Sequence, residues 1–202
     1  FHTVQIMLYA ADKAKDANGN ERDEYSIRIA QGEAARSMEN VTVCTMLSYE
    51  DTVLANGQLN IHPTNKLPIA KALANAALTT YYKPRGDFGK APEYSGPLYK
   101  EVMVNGNTAE ITFNHAEGLK ITDDSNFVRE LEVRTNSGRW VSVDGTLVDN
   151  KVIVSLDNIS LITGVRMGYR NRPSINLYNS AGYCASPFLW QDENAKLDRK
   201  SV

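Results

Sequence analysis

The chain has no apolar run approaching the roughly 20 residues needed to cross a bilayer. Its longest candidate, Ala70 to Tyr82, is broken by Lys71, Asn75 and Thr79, so no membrane span is expected. It has no basic excess either. Lys and Arg number 22 against 24 Asp and Glu, a formal net charge of -2, and the pI is near 6.0. Without a basic face to neutralise phosphates, nucleic acid is excluded as a partner. Cysteine is scarce: Cys44 and Cys184 either pair or stay as two buried thiols. The apolar surroundings of Cys44 favour an unpaired thiol, which behaves as a small hydrophobe. The three histidines, His2, His62 and His115, form no metal-ligand spacing with one another or with the cysteines, so zinc is not expected. Asp123-Asp124 reads as a solvated turn before a calcium site. No cofactor is implied, and there is no internal repeat or low-complexity tract.

What is present fits a globular protein. Hydrophobic residues make up 42% and charged residues 23% of 202 positions. That length suffices for one large domain or two small ones, with a core that needs no disulfide framework. Two composition regimes divide it. In the first, Val4, Ile6 and Leu8 mark a strand within Phe1–Tyr9, and Asp16 to Asn20 is a polar turn. Glu21 to Met38 is predicted helical, with Tyr25, Ile29 and Gly32 on one face and Ile27, Ala30 and Ala34 beside it. Val41–Leu47 is a near-continuous apolar run, as in a strand covered on both faces. Glu50 to Asn60 is a loop. A second helix is expected from about Thr64 to Tyr82, with Ile69, Leu73, Ala77 and Tyr81 recurring every four residues and Pro68 tolerated in its first turn. Strand, helix, strand, helix is the pattern of an α/β domain with a parallel sheet.

Pro84 to Pro97 is rich in Pro, Gly and charge and reads as a linker. Beyond it the period falls to two. Tyr99–Val104 and Thr108–Asn114 flank Asn105-Gly106, a hairpin signal. Phe127–Thr135 and Arg139–Val143 flank Asn136-Ser137-Gly138, and Lys151–Leu156 and Leu161–Tyr169 follow. Short strands with no intervening helix predict a small all-β sandwich or jelly roll. The expected division is therefore 1–83 for the α/β part, 84–97 for the linker, 98–190 for the β-domain and 191–202 for a tail.

The chemistry concentrates at Ile61-His62-Pro63-Thr64-Asn65-Lys66. An imidazole titrates near neutrality, so a histidine at a loop-to-helix junction can accept a nucleophile's proton and return it to a leaving alcohol. Pro63 fixes the backbone after His62 and biases it toward an extended conformation. The bland alternative is a merely exposed or capping histidine. Arg28 and Gln31 lie one helical turn apart and are expected to hold the sheet edge by polar contacts, with substrate contact the outside reading. Trp140, Tyr169, Tyr178 and Trp190 are either sugar-stacking platforms or, as aromatics in a β-sandwich more often are, core.

Several segments carry a resemblance. Phe1-His2-Thr3-Val4-Gln5, Arg28-Ile29-Ala30-Gln31 and His62-Pro63-x-x-Lys66 before an alanine-rich helix come first. Tyr94-Ser95-Gly96-Pro97-Leu98-Tyr99, Val165-Arg166-Met167-Gly168-Tyr169, Asn176-Leu177-Tyr178-Asn179 and Ser186-Pro187-Phe188 follow. In this order, to about Trp190, the chain resembles the C-terminal half of the sialate O-acetylesterase family of the SGNH hydrolase superfamily. The resemblance implies the latter part of a three-layer αβα domain followed by the β-domain. It implies a serine carboxylic-ester hydrolase that removes O-acetyl groups from sialic acid or related sugars through an acyl-serine, without a cofactor. Only the catalytic histidine carries over, to His62. The family's Gly-Gln-Ser-Asn nucleophile segment is absent here, as is any Gly-x-Ser-x-Gly elbow.

The implied partner is an N-terminal portion of the same precursor, or a separate chain, bearing the serine. A strand that starts at Phe1 points the same way, and the chain alone is expected to be unstable because its sheet edges lie open. Where relatives place an Asp two or three residues before the histidine, this chain has Asn60 and Leu59, with Asp51 further back. Asn60 can hold the imidazole ring by a hydrogen bond but carries no charge to stabilise imidazolium, so which residue orients His62 stays open. This departure keeps open a second reading, a non-catalytic relative that binds glycans or protein. Asn40-Val41-Thr42 and Asn158-Ile159-Ser160 are candidate glycosylation sites at Asn40 and Asn158. With the resemblance they favour secreted, lysosomal or periplasmic placement.

Overall fold

The computed structural model describes residues 1–9, 13, 15, 18–49, 54, 59–60, 62–82, 89 and 91–195. The order begins β1 (His2–Val4), α1 (Glu24–Ser37), β2 (Thr42–Cys44) and α2 (Leu67–Ala77), which runs into a π turn at Leu78–Tyr82. β1 and β2 pair in parallel, with His2 opposite Thr42 and Val4 opposite Cys44. The expected strands shrink to these three-residue cores, although the chain stays buried on to Leu47. Asp16 and most of the Glu50–Asn60 loop lie outside the described residues, as does most of the tail.

α1 starts three residues later than its periodicity predicts, because Asp23 caps it. The Asp23 carboxylate accepts from the Ser26 amide at 3.0 Å and from the Ser26 hydroxyl at 2.8 Å. The buried face is not the apolar one either. α1 buries Glu24 and Arg28, while Ile27 is half exposed. α2 buries Ala72 and Ala76 with Ile69 and Leu73 packed beside them, against Val4, Met7, Cys44 and Met46. Tyr81 is exposed. A strict four-residue repeat drifts off a 3.6-residue helix face, so the end of the predicted stripe turns to solvent.

The second part is β-rich. It comprises β3 (Leu98–Asn105), β4 (Thr108–Asn114), β5 (Lys120–Ile121), β6 (Val128–Thr135), β7 (Trp140–Val148), β8 (Lys151–Ser155), β9 (Ile162–Met167), β10 (Leu177–Tyr178) and β11 (Phe188–Gln191). The prediction of short antiparallel strands is right, but the architecture is not two stacked sheets. Seven strands form one antiparallel sheet in the order β11-β9-β6-β7-β8-β4-β3. It curls until its ends meet, with Tyr99 of β3 stacked on Phe188 of β11 at 4.7 Å between ring centroids. β5 and β10 form a separate pair. β7 runs five residues past the expected strand end, because the following turn falls at Asp149-Asn150, both at positive φ, which suits a tight hairpin.

Alternation places Leu131, Val133, Val165 and Met167 inside the curl and Glu132, Arg134 and Arg166 outside. The same apolar cluster takes in Leu8, Leu47 and Leu59 from the first part of the chain. Among the described residues the structure is thus mostly β with two helices, and the β-rich region is its dominant unit. Residues 94–97 of the expected linker are buried. Gly96 explains how: a Cβ there would stand 1.8 Å from the Cys184 carbonyl oxygen and 2.7 Å from the Thr45 hydroxyl. The Gly96 amide instead donates to that hydroxyl at 2.7 Å.

Candidate active site

His62 is exposed in the loop between β2 and α2. Asn60, one of the residues that could have held the ring, holds the His62 backbone instead. The Asn60 Oδ1 accepts from the His62 amide at 2.9 Å, and its Nδ2 donates to the His62 carbonyl at 2.9 Å. This is an Asx-type turn, in which a short amide side chain substitutes for backbone pairing. The Lys66 ammonium closes the loop by donating to the Pro63 carbonyl at 2.6 Å. The Tyr49 hydroxyl, just past β2, donates to the Asn65 carbonyl at 2.5 Å and draws the start of α2 to the carboxyl end of β2. Leu59 packs into the cluster that holds Leu8 and Leu47. Among the described residues nothing hydrogen-bonds the imidazole, and its backbone is held in the loop that follows β2, on the side where open α/β sheets bind ligands. Asp51, the sequence candidate for orienting the ring, lies outside the described residues.

A polar knot ties α1 to the chain that leaves β1 and to the segment after β9. Arg28 is fully buried, and its guanidinium donates to the carbonyls of Ile6 at 3.0 Å, Met7 at 3.0 Å and Asn171 at 2.9 Å, and to the Glu24 carboxylate at 3.2 Å. Burial lowers its pKa, against the opposing pull of Glu24. Gln31 substitutes for a strand neighbour: its Nε2 donates to the Val4 carbonyl at 2.8 Å and its Oε1 accepts from the Ile6 amide at 2.9 Å. The expected edge-holding role of both residues is what the geometry displays.

Asn171 returns two more bonds, accepting from the Glu24 amide and donating to the Arg22 carbonyl, both at 2.9 Å. Arg172 donates to the Tyr9 carbonyl at 2.8 Å. The segment after β9 is thus pinned across the chain that leaves β1. Between them lies a crevice of about 200 Å³. Leu8, Leu47 and Ser48 line one side and Pro173, Ser174 and Tyr178 the other.

This chain shares the fold of a carbohydrate acetylesterase. A crystal structure of a novel carbohydrate acetylesterase from Xanthomonas citri superposes with a TM-score of 0.71 at 21% sequence identity. The match covers 95% of this chain and 41% of that one, so the chain spans about two fifths of the length of its structural neighbour. The likeness carries an esterase-type fold and not the sialate family in particular. No protein-family model matches the sequence, and no curated protein matches it.

The other candidates separate. His2 Nδ1 lies 2.7 Å from the Thr42 hydroxyl on the β1–β2 pair. His115 Nδ1 lies 2.8 Å from Glu93 Oε1. Burial raises the Glu93 pKa, but the His115 contact and the Tyr94 and Ser95 amides outweigh it and leave the carboxyl below its usual value. Among the described residues no cluster of three or more His, Cys, Asp or Glu could hold a metal ion. Asp123 is engaged by Asn176, Ser125 and Arg129.

Cys44 and Cys184 are buried free thiols, and burial pushes their pKa values up to about 11 and about 12. Trp140 and Tyr169 flank the Arg166 guanidinium, 4.3 and 4.0 Å from the ring centroids, and Glu132 grips that guanidinium with two bonds. Trp190 and Tyr178 both pack against the core, and Tyr178 also lines the crevice. Asn40 and Asn158 are exposed at positive φ.

Sequence reasoning named Asn176 and Asn179 only as motif letters. Their amides donate across loops, Asn176 to the Phe127 carbonyl and Asn179 to those of Ser95 and His115. Ser48 and Ser174 were not singled out, and a lone serine in a loop carries no local signal that could have found them.

Proposed function

We propose that this chain is the histidine-bearing part of a carbohydrate O-acetylesterase of the sialate O-acetylesterase type. The observation that carries this reading is the exposed His62 on its clasped turn at the carboxyl ends of β1 and β2, in a chain that shares an acetylesterase's fold. β1, α1, β2 and α2 within 1–83 are read as the latter part of a three-layer αβα domain, and 98–190 as its β-domain. His62 takes the proton from a serine supplied by an N-terminal segment outside this chain. The serine attacks the acetyl carbonyl and forms an acyl-serine, and His62 returns the proton to the departing sugar hydroxyl. Water, deprotonated by the same imidazole, releases acetate. Placement is secreted, lysosomal or periplasmic, and the Asn40 and Asn158 sequons would be used only on a eukaryotic secretory route.

The test is His62→Ala in protein that carries this chain together with the serine-bearing segment. Turnover of an acetylated sugar should fall about a thousandfold or more. A fluorophosphonate probe should label the serine-bearing segment of the unaltered protein. Unchanged turnover in His62→Ala would refute the reading. The second reading, a glycan-binding relative without catalysis, is favoured by Asn60 clasping backbone instead of ring. It predicts no fluorophosphonate label and undiminished glycan affinity in His62→Ala.

A further inference from the structure

Resting on that reading, we infer that Lys66 and Tyr49 are positioning residues for His62, and that they act by gripping the carbonyls of its loop. The carbonyls of His62, Pro63 and Asn65 each accept from a side chain: Asn60 Nδ2 at 2.9 Å, the Lys66 ammonium at 2.6 Å and the Tyr49 hydroxyl at 2.5 Å. Asn60 Oδ1 takes the His62 amide as well. Pro63 is buried, and its ring fixes φ directly after the histidine. Tyr49 is anchored in turn, because its ring packs against the cluster of Met7, Cys44 and Met46 that also seats Ala72 and Ala76 of α2. The exposed imidazole thus stands on a backbone whose N–H and C=O are both engaged and whose next turn is tied at two further points.

Lys66 breaks a local rule to do this. It stands at the N-cap of α2, where Ser, Thr, Asp or Asn ordinarily accepts from an orphan helix amide. Lys66 makes no capping bond, and a cation at a helix N-terminus opposes the macrodipole. Asn65 takes over part of the capping, its Oδ1 accepting from the Leu67 amide at 3.0 Å. A residue that weakens its helix and places its charge on the carbonyl next to the histidine serves the loop and not the helix. The gain is geometric. A general base must hold its nitrogen within hydrogen-bond reach of the serine hydroxyl, and a displacement of about 1 Å lowers the rate about a hundredfold. Neither Lys66 nor Tyr49 hydrogen-bonds the imidazole, so both act through the backbone. The Lys66 bond spans three residues, so its loss should disturb the loop and leave the rest of the fold in place.

The experiment uses protein with the serine-bearing segment, an O-acetylated methyl pyranoside as substrate, and thermal melts beside kcat and KM. Lys66→Ser removes the clasp and supplies a good N-cap. Its kcat should fall about tenfold or more with KM within about twofold, while Tm stays within about 2 °C or rises. Lys66→Arg keeps a cationic donor and should return kcat to within about threefold of unaltered protein. Tyr49→Phe keeps the packed ring and removes only the hydroxyl, so kcat should fall about three- to tenfold with KM unchanged. A Lys66→Ser kcat within about twofold of unaltered protein, a loss confined to KM, or a Tm that falls together with kcat would overturn the inference and leave the esterase reading intact. If unaltered protein hydrolyses no acetyl ester, the esterase reading fails, and NMR relaxation of the His62 amide decides the clasp alone. Its order parameter should lie near about 0.85 in unaltered protein and drop below about 0.6 in Lys66→Ser, and equal values would overturn the inference.

Discussion

Replacing Arg28 with methionine probes the knot that holds the two walls of the crevice. The substitution keeps a long, flexible apolar stem and removes every donor. The carbonyls of Ile6, Met7 and Asn171 and the Glu24 carboxylate each lose the bond that the buried guanidinium donates. At about 1.5–3 kcal/mol for each hydrogen bond to a charged group, the gross cost is about 6–12 kcal/mol. Part of this is returned, because the guanidinium's own burial penalty, visible in its lowered pKa, disappears. The net should approach the roughly 3–5 kcal/mol typical of breaking a buried ion pair by removing one partner. For a domain of this size each kcal/mol moves Tm by about 2–4 °C, so Tm should fall by about 6–20 °C. The assay is thermal unfolding followed by circular dichroism, in protein that includes the serine-bearing segment. Arg28→Lys should recover little, because one ammonium on a flexible stem cannot span three carbonyls set for a planar fork. A methionine variant melting within about 3 °C of unaltered protein would refute the claim that this knot holds the seam.

Gly96→Ala should cost more than the roughly 1–3 kcal/mol of ordinary overpacking, since its Cβ would meet backbone atoms of Cys184; a wild-type denaturation midpoint would contradict this. Glu93 has a folded pKa below the ordinary value of 4.5, so it stabilises the fold fully above that pH and loses its contribution as the pH falls through the lowered value. Glu93→Gln should therefore flatten the acid limb of stability below about pH 4.5, and an unchanged limb in a pH series of melts would count against the His115 pairing. Cys44 and Cys184, held as neutral thiols by burial, should resist an aromatic disulfide reagent at pH 8 in folded protein and both react after denaturation. Rapid labelling of either thiol under native conditions would contradict their burial.

The strength of local signals explains what was legible. Period-two alternation along β4, β6, β8 and β9 and the Gly106 turn are encoded within a few residues of each other, so the β-rich half could be read directly. α1 misled because its buried face is polar. Glu24, Arg28 and Gln31 face inward only because carbonyls and amides of β1 and Asn171 await them, and no periodicity scale records distant partners. The same holds for Asn60, whose grip on the His62 backbone in place of the ring is a matter of torsions, not composition.

The sequence by itself determined the regime change from mixed α/β to β and the exposed junction that carries His62, since turn residues and strand alternation are properties of neighbours along the chain. Only the tertiary structure decided that the β strands close into one curled sheet instead of two stacked ones, because strand closure depends on Tyr99 meeting Phe188 across most of that sheet's sequence. It alone brought Ser174 and Tyr178 opposite Leu47 and Ser48, through contacts between residues more than a hundred positions apart, which a linear pattern does not encode.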